Sequence, residues 1–158
     1  MNVEYECLLS RQPLVVQRRV RWSDCDPAGV VYTGKFTEYL LSAMNYVFDT
    51  LAAERRFFEW LKELGVDTPC KGLELEFQGA LWPDDLFEMH CAVSDIREHS
   101  FDVRVDAVQA DGRRIFAGRF SPICISRDVR RRVPIPPPLR DALQRLRPAT
   151  TAPDRLTS

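Results

Sequence analysis

The chain predicts an α+β fold in which one long helix is covered by a curved antiparallel sheet. Three features of the sequence lead there. Residues 36–51 carry one unbroken apolar stripe of helical period. Three long segments rich in β-branched and aromatic residues follow it, separated by turn formers. The whole chain is 158 residues, with no internal repeat, which suits one domain.

Residues 15–22, VVQRRVRW, alternate in the manner of a strand. Val16, Val20 and Trp22 share one side with Arg18, which interrupts the apolar face. SDCDPAG is then a run of turn formers. Phe36, Tyr39, Leu40, Ala43, Met44, Val47, Phe48 and Leu51 recur at i, i+3, i+4 and i+7 spacing over four turns, which predicts the long helix. ERRFFEWLKELG predicts a second helix, with Gly65 as its C-terminal cap. KGLELEFQG alternates Leu73, Leu75 and Phe77 as a strand, and LWPDDL is a turn. LFEMHCAVSDI, HSFDVRVDAVQ and RRIFAGRFSPICIS are three strands, the last two joined by the hairpin pair Asp111-Gly112. IPPPLRDALQRL enters a short helix through prolines. The domain expected is 14–147, with an N-terminal extension at 1–13 and a flexible C-terminal tail at 148–158.

Composition narrows the function classes. Forty-five per cent of the residues are hydrophobic, enough for a core without staples. The net charge of −1, with both signs interspersed, argues against a nucleic-acid binder. Five widely spaced cysteines without a C-x-x-C argue against a disulfide scaffold or a structural zinc. No apolar run approaches the ~20 residues of a membrane span, and the first residues do not form a signal peptide. A cytoplasmic protein is expected, with no metal and no cofactor.

The stretch with chemical content is Asp24-Cys25-Asp26-Pro27-Ala28-Gly29-Val30-Val31-Tyr32, between a strand and the start of the long helix. Pro27 restricts Asp26 to extended backbone, and Gly29 permits a conformation that other residues avoid. A carboxylate is thereby held beside a helix N-terminus, whose free N–H groups stabilise negative charge. That pairing suits acyl transfer: the amides hold a carbonyl oxygen while the carboxylate attacks the carbon or activates water. The same pattern is also an ordinary Asx turn or helix cap, and on local grounds this plainer reading leads. A calcium loop fails, because Lys35 stands where a bidentate Glu is required. Two histidines, His90 and His99, without triad-like partners read as structural. Cys25, between two aspartates, should have a raised thiol pKa and make a poor nucleophile. Glu38 and Glu54 read as surface residues.

RVRWSDCDPAGVVYTGKFTEYL resembles the 4-hydroxybenzoyl-CoA thioesterase family of hotdog-fold proteins, whose pattern is a strand, D-x-D-x-x-G, two hydrophobic residues and the central helix. The resemblance extends more loosely through the later strands, covers about residues 14–147, and reverses the order of the two readings above. It implies a hotdog fold and hydrolysis of an acyl-CoA thioester, with a lean toward an aryl-acyl group such as 4-hydroxybenzoyl. It implies that Asp26 is the catalytic carboxylate and Asp24 structural. Backbone N–H near Thr33, flanked by Tyr32 and Gly34, would hold the carbonyl. It further implies a homodimer or homotetramer with the site between subunits, and coenzyme A only as part of the substrate. Arg97, His99 and Ser100 fall where the family meets CoA phosphates, although members often carry more basic residues there. Arg127, Arg130, Arg131 and Arg132 form the densest basic cluster and could substitute, Arg127 foremost, although a solvated loop is at least as good a reading of that cluster. The alternatives are a thioesterase acting on an acyl carrier protein and a non-catalytic hotdog module that binds acyl thioesters.

Overall fold

A computed structural model describes residues 4–148. In chain order it contains β1 (Glu6–Arg11), β2 (Leu14–Arg19), a 3-10 turn (Trp22–Asp24), α1 (Thr33–Ala52), α2 (Phe57–Leu64), β3 (Val66–Asp67), β4 (Cys70–Phe77), β5 (Leu86–Ile96), β6 (Phe101–Val108), β7 (Arg114–Pro122), β8 (Ile125–Ser126) and α3 (Pro137–Arg145). Six strands form one antiparallel sheet in the order β1-β2-β5-β6-β7-β4, and β3 pairs with β8. This is the long helix against a curved sheet that the sequence predicts.

The helical stripe forms the core. Phe36, Tyr39, Leu40, Ala43, Met44, Val47 and Leu51 are all buried, each worth roughly 1.5–3 kcal/mol for the larger side chains. Phe48 is half-buried and stacks on Phe57 of α2 at 4.5 Å between ring centres. The opposing layer comes from alternate residues of the strands: Phe87, Met89, Cys91 and Val93 of β5, then Phe101, Val103, Val105 and Ala107 of β6. On β7, Gly118 lets α1 lie close to the sheet. A Cβ there would stand 2.2 Å from Leu40 Cδ1.

Two features differ from the sequence reading. The segment read as an extension contains β1, which pairs with β2 and forms one edge of the sheet. Arg18, the residue that interrupts the apolar face of β2, turns inward toward Glu6 of β1, although its Nε is buried without a hydrogen-bond partner among the described residues. Arg18 Nη1 pairs with Glu6, and its guanidinium lies 4.6 Å from the Tyr39 ring centre. The expected tail falls almost wholly at residues 149–158, which lie outside the described residues.

The opposite edge, β4, is less covered. Leu73 and Phe77 lie in register with Phe120 and Phe116, on the side that faces the helix. Yet they are 41% and 50% exposed, because α1 does not reach across the last strand. The outer hydrogen-bonding edge of β4 has no partner strand among the described residues.

Candidate active site

The D-x-D loop is a miniature hairpin. Cys25 and Val31 form an antiparallel bridge, Asp26 N–H donates to Val30 C=O at 2.9 Å, and Gly29 N–H donates to Asp26 C=O at 2.9 Å. Gly29 has φ +85°, the left-handed geometry the turn needs. Val31 N–H donates to Leu81 C=O, so the turn before β5 clamps the loop from outside. The hairpin therefore returns Asp26 beside Val30, two residues before Tyr32, where α1 is capped.

The two aspartates have different environments. Asp24 is 2% exposed. Its Oδ2 accepts from Tyr39 Oη at 2.7 Å and from Arg21 N–H at 3.0 Å, and Lys35 Nζ lies 3.3 Å from Oδ1. Burial alone would raise its pKa, but the donations from Tyr39, Arg21 and Lys35 outweigh it and hold the carboxyl below its ordinary value. Asp26 is half-buried, and its Oδ1 accepts from Ala28 N–H at 2.9 Å. Of the side-chain oxygens, this leaves Oδ2 without a protein donor among the described residues. The loop is thus an Asx turn that engages one oxygen of the Asp26 carboxylate.

Tyr32 caps α1 with no side-chain hydrogen bond. Thr33 and Gly34, the first two helical residues, have N–H groups that the helix itself cannot satisfy, and neither donates to a protein acceptor among the described residues. The Tyr32 ring folds back over Gly34: a Cβ at that position would stand 2.8 Å from Tyr32 Cε2. Asp26 thus lies on the loop that leads into α1, and the exposed residues Tyr32, Thr33 and Gly34 open that helix.

The expected CoA contacts lie elsewhere. β5 starts beside the acid loop, where Leu86 pairs with Arg19, and it ends at the turn holding Arg97, His99 and Ser100. Its 11 residues span about 35 Å, and the 20 residues of α1 span about 30 Å. Arg127 is at that far end too, its backbone N–H on Gly65 C=O beyond α2. Within one chain the acid loop and the basic end are not brought together.

Several of those basic groups are already engaged. Arg97 makes a bidentate pair with buried Asp102, at 2.6 and 3.0 Å, and also donates to Ser100. Arg127 and Arg130 share the Asp67 carboxylate at 3.0 Å each. Arg131 and Arg132 have no carboxylate partner among the described residues. His99 lies 3.5 Å from Glu98, and His90 pairs with Glu88 at the surface. Cys25 does have a raised thiol pKa, but burial contributes more than the charges of Asp24 and Asp26. Sequence reasoning missed Lys35 and Tyr39 as neighbours of the loop. Their i, i+4 spacing on α1 was the available signal.

A long helix wrapped by an antiparallel sheet and entered through a D-x-D hairpin loop defines a class: the hotdog-fold thioester hydrolases. Residues 20–143 match the family described as the thioesterase-like superfamily. The chain belongs to that family. It is 30% identical to a thioesterase-superfamily protein from Jannaschia sp. CCS1, with a TM-score of 0.75 over 85% of this chain and 93% of the other. It is 25% identical over 123 residues to a 1,4-dihydroxy-2-naphthoyl-CoA hydrolase from Thermosynechococcus vestitus, covering 78% of this chain and 83% of the relative. A 1,4-dihydroxy-2-naphthoyl-CoA thioesterase from Synechocystis shares the fold at a TM-score of 0.70 and 21% identity, covering 82% and 94% of the two chains. No helix among the described residues is long and apolar enough to cross a membrane.

Proposed function

We propose that this protein hydrolyses an aryl-acyl-CoA thioester, with Asp26 as its catalytic carboxylate and the Thr33 and Gly34 amides as the oxyanion donors. The observation that carries the reading is the hairpin at Cys25–Val31. It holds half-buried Asp26 in the loop that leads into α1, whose first two N–H groups have no protein acceptor among the described residues. A thioester oxygen seated on those amides gains stabilisation as it becomes an oxyanion, roughly 3–4 kcal/mol per well-placed donor. Asp26 then either attacks the carbonyl carbon, expelling coenzyme A as the thiolate and leaving an anhydride that water hydrolyses to the free acid and the regenerated carboxylate, or takes a proton from the water that attacks and expels the thiolate directly. Substrate of the hydroxyaryl type is supported by the Asp-Cys-Asp-Pro-Ala-Gly form of the loop and by the curated relative that acts on 1,4-dihydroxy-2-naphthoyl-CoA.

The complete site requires a second copy of the chain. β4 runs from the basic end, where Pro69 C=O accepts from Ile123 N–H, to the acid loop end, where Phe77 lies 5.5 Å from Phe36. A two-fold pairing of β4 with its counterpart is antiparallel, so it sets the basic end of one protomer against the acid loop of the other. It also covers Leu73 and Phe77 and removes an open sheet edge. Nucleotide phosphates would then meet Arg131 and Arg132 of the opposite protomer, which have no carboxylate partner among the described residues, while the acyl group lies against Phe77 and the start of α1.

Thiol release from 1,4-dihydroxy-2-naphthoyl-CoA, 4-hydroxybenzoyl-CoA, benzoyl-CoA and straight-chain acyl-CoAs tests the proposal. The hydroxyaryl esters should give the highest kcat/KM. Absence of turnover with every thioester, carrier-protein esters included, would overturn the enzymatic reading.

A further inference from the structure

Resting on that reading, we infer that Lys35 is a positioning residue which neutralises Asp24, so that the oxyanion forms beside one carboxylate rather than two. The starting observation is a lysine where helix physics disfavours one. Lys35 is the third residue of α1, in the same turn as the Thr33 and Gly34 amides, and that turn carries no acidic residue. A cation at a helix N-terminus opposes the macrodipole. Even so, its side chain is only 19% exposed and is aimed inward, with Nζ 3.3 Å from Asp24 Oδ1 and 2.6 Å from Glu38 Oε2.

Asp24 explains the exception. Its carboxylate is buried and also structural: it gathers Arg21 N–H and Tyr39 Oη, and its backbone C=O accepts from Tyr32 N–H at 3.3 Å. It thus ties the strand before the loop to the helix after it. A second, uncompensated anion at the opening of α1 would repel both the ionised Asp26 and the charge that develops on the carbonyl oxygen, and burial weakens screening of that repulsion. Lys35 offsets the charge of buried Asp24 while leaving its hydrogen bonds in place, and its second partner, Glu38, is the more exposed carboxylate and is screened by solvent. Tyr39, one turn further along the same helix face, supplies the neutral donor and contributes no charge of its own. Burial first, and donation to Asp24 second, keep its phenol protonated.

The test compares Lys35→Met, Lys35→Gln, Lys35→Arg and the double variant Asp24→Asn/Lys35→Met, each measured for kcat and KM on the best hydroxyaryl-CoA substrate. In Lys35→Met, kcat should fall about ten-fold or more while KM changes by less than about two-fold, because the interaction matters only as charge develops. Lys35→Arg should restore most of kcat. Adding Asp24→Asn to Lys35→Met should also restore it, because it deletes the anion that Lys35 balances. Lys35→Gln keeps a donor for Asp24 without the charge, and carries the same test if the methionine variant does not fold. A folded Lys35→Gln or Lys35→Met enzyme with wild-type kcat overturns the inference, as does a double variant no faster than Lys35→Met. A wild-type protein without thioesterase activity would instead overturn the underlying functional reading.

Discussion

Replacing Asp24 by alanine should destabilise the fold far more than replacing it by asparagine. The carboxylate is 2% exposed and receives Tyr39 Oη, Arg21 N–H and the Lys35 ammonium. Alanine leaves the Tyr39 phenol and the Arg21 N–H without their acceptor, while Lys35 keeps Glu38 at 2.6 Å. Two donors left without a partner cost about 1–3 kcal/mol each, or about 2–6 kcal/mol together. For a domain of this length each kcal/mol moves Tm by roughly 2–4 °C, so the expected drop is about 4–24 °C. Asparagine keeps one acceptor oxygen for Tyr39 and Arg21 and loses only the charge opposite Lys35, for which about 1–2 kcal/mol is expected. Thermal unfolding followed by circular dichroism at neutral pH, with urea midpoints as a check, measures both. The pH dependence has a definite sign. The Asp24 carboxyl is held below its ordinary value of 3.8. Its ionised form therefore contributes stability that is fully present above that pH and is lost as pH falls through the lower folded-state pKa. The gap between wild type and Asp24→Asn should accordingly narrow in acid below pH 3.8. An Asp24→Ala protein melting within about 2 °C of wild type would refute the argument, since it would mean that the buried network carries no net stability.

Asp26→Asn should keep the fold and the oligomer while lowering kcat by at least ~10², in steady-state thiol release. Wild-type turnover in that variant would remove Asp26 from its role. If β4 pairs with its counterpart as proposed, Leu73→Glu, at the exposed inner face of the β4 edge, should give a folded monomer by analytical ultracentrifugation, with thioesterase activity lost in step with the pairing. Gly118→Ala should lower stability by about 1–3 kcal/mol, because the added methyl meets Leu40 Cδ1 at 2.2 Å and the fully buried Leu40 side chain must repack. Urea denaturation reads this, and an unchanged midpoint would show that Leu40 has room to rotate.

The sequence by itself determined the elements whose signals are local. The stripe from Phe36 to Leu51 specified α1 because helical periodicity is written in neighbouring residues, and Gly65 and Asp111-Gly112 marked a cap and a turn by their own backbone preferences. The Asp-x-Asp-Pro-x-Gly loop was legible for the same reason, since proline, glycine and an Asx turn fix a hairpin over six residues. What only the tertiary structure decided are pairings between distant residues. Arg18 could not be read as an inward residue without Glu6 on a strand 12 positions away, and Tyr39 meets Asp24 across 15. Arg127 looks like an uncommitted cation until Asp67, 60 positions earlier, is folded beside it. The separation of the acid loop from the basic end is likewise set by the lengths of α1 and β5 laid side by side. Periodicity reports which face of an element is buried, while the partner across that face is chosen by chain topology and close packing.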